Sequence, residues 1–95
     1  MEISTKLNKV NINGNIKSIS DFQNIKTSID TLVAKEKSIT INIMDSLSMT
    51  STTIGYFNKL ILKDKININM NIGNSKLIEL LEDLSLDKLF HIKKA

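Results

Sequence analysis

Three segments of the chain alternate apolar and polar residues with a period of two. Their sequences are KVNINGN, SITINIM and KININMNI, which begin at Lys9, Ser38 and Lys65. Ile, Val and one Met fill the apolar positions, and Asn or Thr fills most of the positions between them. This alternation predicts three β-strands, each with one buried face.

The opening stretch EISTKL has a weaker strand pattern. A two-residue turn at Asn8-Lys9 would place Leu7 opposite Val10, with Thr5 and Ile12 as the next pair on the same face. The sequence therefore predicts an N-terminal β-hairpin.

Between the strands, the apolar residues follow the spacing of amphipathic helices. The first stripe runs from Asp21 to about Lys35, and Ser20 with Gln23 fits a capping box at its start. The second runs from Ser51 to about Leu62 and the third from Ser75 to Leu84. The segment LDKLFHI closes the chain as a final helical turn or a short strand.

The predicted order is β-β-α-β-α-β-α, and strands separated by helices favour right-handed crossovers and a parallel sheet. A parallel sheet covered on both faces has continuously apolar strands, whereas these strands alternate Ile with Asn. We therefore predict one α/β domain over residues 1–95. It has two layers, with a mostly parallel mixed sheet of four to five strands and helices packed mainly on one face.

Composition narrows the classes of function. All 13 basic residues are Lys, and they are spread along a chain of net charge +3. This lacks the clustered basic patch with aromatics that nucleic-acid binding favours, so we predict no nucleic-acid partner. No apolar run approaches the roughly 18 residues of a membrane span, and the start does not resemble a signal peptide. We expect a cytoplasmic protein that does not insert into membranes.

Catalytic and metal-binding patterns are missing from the sequence. There is no Cys, His91 is the single histidine, and the acidic residues do not form a ligand pattern. The sequence contains neither a phosphate-binding glycine loop nor the G-x-S-x-G pattern of a nucleophile elbow. We therefore predict a protein that is not an enzyme and that holds no metal or cofactor.

The most unusual stretch is MDSLSMTSTTIGYFNKL, which begins at Met44. It places four hydroxyl residues, Thr50 to Thr53, where the second helix begins after the carboxyl end of a strand. One hydroxyl suffices to cap a helix. Another could carry a phosphate, because a helix N-terminus stabilises negative charge.

The chain resembles the STAS family, the domain shared by sulfate transporters and anti-sigma-factor antagonists. The stretch ITINIMDSLSMTSTTIGYFNKL lies without a gap over the family's strand, loop and Asp-Ser-Ser/Thr-Gly-Leu-Gly-like helix start. The ending IGNSKLIELLEDLSLDKLFHI is similar to the family's usual ending, and Gly14 lies where the family often has a glycine. In this overlay Ser51 falls on the serine that family antagonists have phosphorylated, and Ile54-Gly55 falls on the following Leu-Gly.

The chain departs from the family pattern at several positions. Thr50 stands in place of the usual acid before the serine, Thr53 in place of a small residue, and Asn42 where Asp is frequent. Ser51 is the phosphorylation site that the resemblance implies, and Thr50 and Thr52 are the alternative acceptors.

The resemblance implies a bacterial transcription regulator that binds an anti-sigma factor, itself a Ser/Thr kinase, and is switched off by phosphorylation of Ser51. An alternative is an accessory subunit of a lipid-handling ABC transporter that docks on the ATPase subunit without modification. A third is an unmodified sensor or scaffold module. A homodimer edge is also predicted from the weak first strand and the Asn-lined sheet face. The predicted partner-binding residues are Met49, Thr50, Ser51, Thr52, Thr53, Gly55, Tyr56 and Lys59.

Overall fold

A computed structural model describes residues 1–95 and contains five strands and three helices. The predicted β-hairpin and the alternating strands and helices are all present. The segment LDKLFHI forms turns up to His91, and the C-terminal strand begins only at Ile92. The element bounds are β1 Glu2–Lys6, β2 Lys9–Asn13, α1 Ile19–Val33, β3 Ser38–Ile43, α2 Ser51–Leu62, β4 Asn67–Ile72, α3 Ser75–Asp83 and β5 Ile92–Lys94.

The strands form one sheet in the order β1-β2-β3-β4-β5. β1 is antiparallel to β2, and every other neighbouring pair is parallel. Parallel strands that follow one another in sequence, joined by right-handed helical crossovers, place all their helices on the same side of the sheet. The predicted two-layer fold with a mostly parallel mixed sheet is confirmed. No helix has the length and apolar character of a membrane span.

The apolar positions of the three central strands form the sheet side of the core. The helices pack over this face and remove the apolar side chains of the strands from water. This burial is the main favourable contribution to folding. Phe57 of α2 and Phe90 lie within this core with their rings edge to face, 6.1 Å between centroids. The buried strand residues are Val10, Ile12, Ile39, Ile41, Ile43, Ile68, Met70 and Ile72.

The opposite face of the sheet carries a row of hydrogen-bonded asparagines. Strand register places Asn11 beside Asn42 and Asn42 beside Asn71. The Asn71 amide donates to Asn42 Oδ1 at 2.8 Å, and the Asn42 amide donates to Asn11 Oδ1 at 2.9 Å. These half-buried polar groups are therefore satisfied by one another on a face that no helix covers.

The predicted N-terminal hairpin is confirmed, but its predicted turn is wrong. The turn residues are Leu7 and Asn8, and the register pairs Ile3 with Ile12 instead of Thr5 with Ile12. Asn8 is held by the neighbouring strand β3, whose Thr40 N–H donates to the Asn8 carbonyl at 3.0 Å. The observed register also places Ile3, the one β-branched apolar residue of β1, beside a fully buried residue.

Helix α1 begins two residues earlier than predicted. Its N-cap is Ser18, whose hydroxyl accepts from Asp21 N at 3.0 Å, while the Asp21 carboxylate accepts from Ser18 N at 3.2 Å. The carboxylate also accepts from Lys17 N. These hydrogen bonds hold the pKa of Asp21 below its ordinary value, and the bond from Lys17 has the largest effect. A charged acceptor of two backbone donors is stronger than the neutral amide of Gln23, so the predicted Ser20 cap is wrong.

Two glycines provide a matched test of the packing at the end of β4. A Cβ on Gly73 would lie 2.2 Å from the Met44 carbonyl oxygen, whereas a Cβ on Gly55 meets nothing within 4 Å. We expect Gly73→Ala to lower the free energy of unfolding by about 1–3 kcal/mol, because backbone must shift. Gly55→Ala should raise it by about 0.5–1 kcal/mol, because alanine favours a helix interior.

The measurement is urea denaturation followed by circular dichroism. Equal effects of the two alanines would contradict this close approach of the two loops.

Candidate functional site

The loops that follow β2 and β3 meet at the carboxyl edge of the sheet. Gly14 N donates to Asp45 Oδ1 at 2.7 Å, and Leu47 N donates to Asn15 Oδ1 at 2.9 Å. The bonds run in both directions between the loops, since each loop supplies one side-chain acceptor. These bonds fix the loop after β2 to the loop after β3, although the two loops are about 30 residues apart in sequence. The second loop leads directly into α2.

A buried hydroxyl lies at the centre of this junction. Ser46 is 1% exposed. Its Oγ accepts from Ile16 N at 3.0 Å and donates to the Ser48 carbonyl at 2.7 Å. Because a buried donor or acceptor without a partner is costly, this hydroxyl restricts the path of both loops. The start of α2 is therefore held in one place relative to the sheet.

Thr50 is the N-cap of α2. Its hydroxyl accepts from Thr53 N at 3.2 Å, and the hydroxyls of Thr50 and Thr53 lie 2.8 Å apart. Thr53 is fully buried, so its hydroxyl depends on this contact. Two of the four consecutive hydroxyl residues are thus committed to the structure of the helix start.

Ser51 and Thr52 are exposed. Ser51 is the first residue of α2, and its hydroxyl forms no hydrogen bond within the chain, because Thr50 makes the cap. The first turn contains no acidic residue. Its free N–H groups carry the positive end of the helix dipole, which favours a nearby anion. Position in the helix therefore separates the structural hydroxyls from those that face solvent.

The predicted partner-binding residues divide between core and surface. Met49, Thr53 and Tyr56 are buried, so their side chains are not available to a partner that docks on this conformation. The predicted residues that contribute to the surface are Thr50, Ser51, Thr52, Gly55 and Lys59.

Tyr56 links α2 to α1 through its hydroxyl. The hydroxyl donates to Asp30 Oδ1 at 2.6 Å, and Asp30 also pairs with Lys26. Burial raises the pKa of Tyr56, and the hydrogen bond to the Asp30 carboxylate raises it further. Burial also raises the pKa of Asp30, but the hydrogen bonds from Lys26 and Tyr56 outweigh it and leave that pKa below its ordinary value. The role shown for Tyr56 is therefore to hold two helices together.

A groove of about 390 Å³ lies between the N-termini of α1 and α2. The sequence pattern does not indicate this groove, because its two sides come from segments about 30 residues apart. The available signal was Ile19, an apolar residue outside the stripe of α1, which is 77% exposed. The lining residues are Lys17, Ser18, Ile19, Phe22, Gln23, Thr50 and Thr52.

Apolar side chains add to the surface around the same edge. Met44 and Leu47 belong to the loop before α2 and are 46% and 52% exposed. No three His, Asp or Glu side chains are close enough together to hold a metal ion. This edge of the sheet therefore presents exposed apolar side chains beside hydroxyl groups, a combination that suits the binding of another molecule.

Comparison of the chain with protein-family models, with curated proteins and with solved structures finds no match. The fold is established by the structure itself, and the resemblance to the STAS family stays a prediction from the quoted residues.

The division of the hydroxyls can be tested by paired substitutions. We expect Thr50→Ala to lower the free energy of unfolding by about 1–2 kcal/mol, because α2 loses its cap and the buried Thr53 hydroxyl loses its partner. Ser51→Ala is the matched control and should change it by less than about 0.5 kcal/mol. Urea denaturation measures both, and a larger loss for Ser51→Ala would contradict the assigned cap.

The Tyr56–Asp30 contact predicts a pH-dependent contribution to stability. Because the folded-state pKa of Asp30 is lowered from 3.8, its stabilisation is present above pH 3.8 and is lost as the pH falls through the folded pKa. At neutral pH, Tyr56→Phe should cost about 1 kcal/mol, a modest value because the Asp30 side chain is 44% exposed. The difference between the two proteins should shrink below pH 3.8.

Denaturation of both proteins at neutral and acidic pH measures this difference. A gap that stays constant with pH would show that the hydroxyl contributes without the carboxylate.

Proposed function

We propose that this protein is a cytoplasmic binding regulator similar to the anti-sigma-factor antagonists, and that it docks on an anti-sigma factor that is also a Ser/Thr kinase. The observation that carries the proposal is the exposure of Ser51 and its free hydroxyl. This residue is exposed at the first position of α2, and its hydroxyl is not required for the cap. It is therefore accessible for modification without loss of the helix.

The docking surface is formed by the carboxyl edge of the sheet and the start of α2. Ile19, Met44 and Leu47 supply exposed apolar area, and Ser51 with Thr52 supplies polar contacts beside it. A partly apolar patch with a polar rim is typical of protein-binding surfaces. The hydrogen bonds between the loops hold the surface in place. Little conformational entropy of these loops is therefore lost when a partner binds.

A phosphate on Ser51 would act on the interface and leave the fold intact. It adds about −1.5 to −2 charges, and the first turn of α2 stabilises that charge because it contains no acidic residue. A bound partner would instead have to cover a dianion beside apolar groups, which carries a desolvation cost. Phosphorylation would thus release the partner by local electrostatics.

Thr50 performs one task that an acid at this position would also perform. Both Thr and Asp cap helices well, so the start of α2 does not need the family's acid. Thr50 does not supply the negative charge. This difference supports the second candidate function, in which the same edge docks on the ATPase subunit of a lipid-handling ABC transporter without modification.

The test combines phosphorylation with binding. The purified chain is incubated with ATP and a Ser/Thr kinase of the anti-sigma-factor type from the same organism, and the products are mapped by mass spectrometry. We expect phosphate on Ser51, and we expect Ser51→Asp to weaken partner binding by about tenfold or more.

Ser75→Asp is the matched control, because Ser75 is the exposed first residue of α3 and receives the same charge at the same helix position. It should leave affinity within about twofold. Absence of phosphate from Ser51, Thr50 and Thr52, together with unchanged binding by Ser51→Asp, would overturn the switch. Specific co-purification with an ATPase subunit under those conditions would support the transporter candidate.

A further inference from the structure

The two edges of the sheet differ in how far they are protected. The β5 edge is only three residues long and carries Lys93 and Lys94, and short, lysine-bearing edges resist pairing with another strand. The β1 edge is five residues long, and one side of it has no partner strand. β1 is therefore the edge able to accept another strand.

The hairpin register defines which backbone groups of β1 point outward. The pair that closes a two-residue turn exchanges both of its hydrogen bonds, and here that pair is Lys6 and Lys9. Bonded and non-bonded pairs alternate along an antiparallel ladder, so Glu2 and Ser4 also bond inward to β2. The N–H and C=O groups of Ile3 and Thr5 point to the free edge.

The two charged residues of β1 have opposite signs and lie at its two ends. Glu2 and Lys6 are equally far from Ser4 and lie on the same face of the sheet, because side chains alternate along a strand. Within the hairpin, Lys6 lies directly opposite Lys9, and like charges in that position are destabilising. An acidic side chain on the free side of Lys6 would offset this repulsion.

We propose that two copies of this chain associate through β1, paired antiparallel about a two-fold axis at Ser4 into a ten-stranded sheet. This register places Glu2 opposite Lys6 of the second copy, and the reverse, so it forms two opposite-charge pairs. It also places Ile3 opposite Thr5 of the second copy. All outward N–H and C=O groups of these two residues then form hydrogen bonds, four in the dimer.

Shifts of this register lose the complementarity. A shift of two residues in either direction places Glu2 or Lys6 opposite Ser4 of the second copy and removes the charge pairs. A shift toward the turn also requires Leu7 to extend the strand, yet Leu7 has a φ of 56°, outside the strand region. The register centred on Ser4 is the one that satisfies both the charges and the backbone.

The helix side of the edge also has room for a second copy. A groove of about 360 Å³ runs between β1 and α1, with Thr5, Leu7 and Leu32 among its lining residues. Leu7 is 82% exposed. Because the two-fold axis is perpendicular to the sheet, both helical layers lie on the same side, and Leu7 approaches Met1 of the second copy. Association would remove exposed apolar surface from water.

The test is a charge swap read by analytical ultracentrifugation of the full chain without an N-terminal tag. Wild type should show a reversible monomer–dimer equilibrium. Glu2→Lys and Lys6→Glu should each raise the dimer dissociation constant by about tenfold or more, because each creates two like-charge pairs across the axis. The double variant restores opposite charges and should return to within about threefold of wild type.

Two further measurements separate loss of the dimer from misfolding. Glu79→Lys on the exposed side of α3 is the matched charge reversal and should leave the dissociation constant unchanged. Lys6→Glu replaces the Lys6–Lys9 repulsion with attraction, so its monomer should be at least as resistant to urea as wild type. A wild-type monomer up to about 1 mM, or single reversals that dimerise like wild type, would overturn the proposal.

Discussion

The fold depends on the separation of isoleucine and asparagine onto opposite faces of β2, β3 and β4. In each of these strands the alternate apolar residues are buried under the helices, and the residues between them are only partly covered. A slip of one residue in any strand would turn its isoleucines to solvent and its asparagines into the core. The same separation explains why one layer of helices suffices, since the asparagines on the open face satisfy one another.

The one-sided arrangement also places the candidate site. With consecutive parallel strands, the loops after β2, β3 and β4 all emerge at the same edge, where helix N-termini converge. Hydrogen bonds then connect these loops, with the buried Ser46 between the first two and Gly73 N bonded to the Ile43 carbonyl at 2.8 Å. The surface around Ser51 is therefore positioned by the core and does not depend on the flexibility of its own loop.

Patterns with a regular period were predictable from the sequence. Strands β2 to β4 and helix α2 were identified correctly because alternation and helical stripes extend over five or more residues. The fold class followed from the order of these elements. The exposed position of Ser51 at the first turn also agrees with the helix start that was predicted at that residue.

Features set by contacts between distant segments were not predictable in the same way. The hairpin turn depends on bonds between Asn8 and β3, and the α1 cap depends on which acceptor competes best for two backbone donors. The helical stripe of α2 gives no sign that Tyr56 reaches Asp30 on another helix. The groove beside Thr50 likewise requires two loops to be brought together by the sheet.

The asparagine row has a direction. Asn71 donates to Asn42, and Asn42 donates to Asn11, so the three amide dipoles are aligned across the strands. In this arrangement the middle residue both donates and accepts. A carboxylate at position 42 could accept from Asn71 but could not donate to Asn11, so that link would survive only if the Asn11 amide turned over and became the donor. The asparagine at the position where the STAS pattern often has Asp thus matches the donor and acceptor groups of its two neighbours, and a change at position 42 also changes which group Asn11 must present.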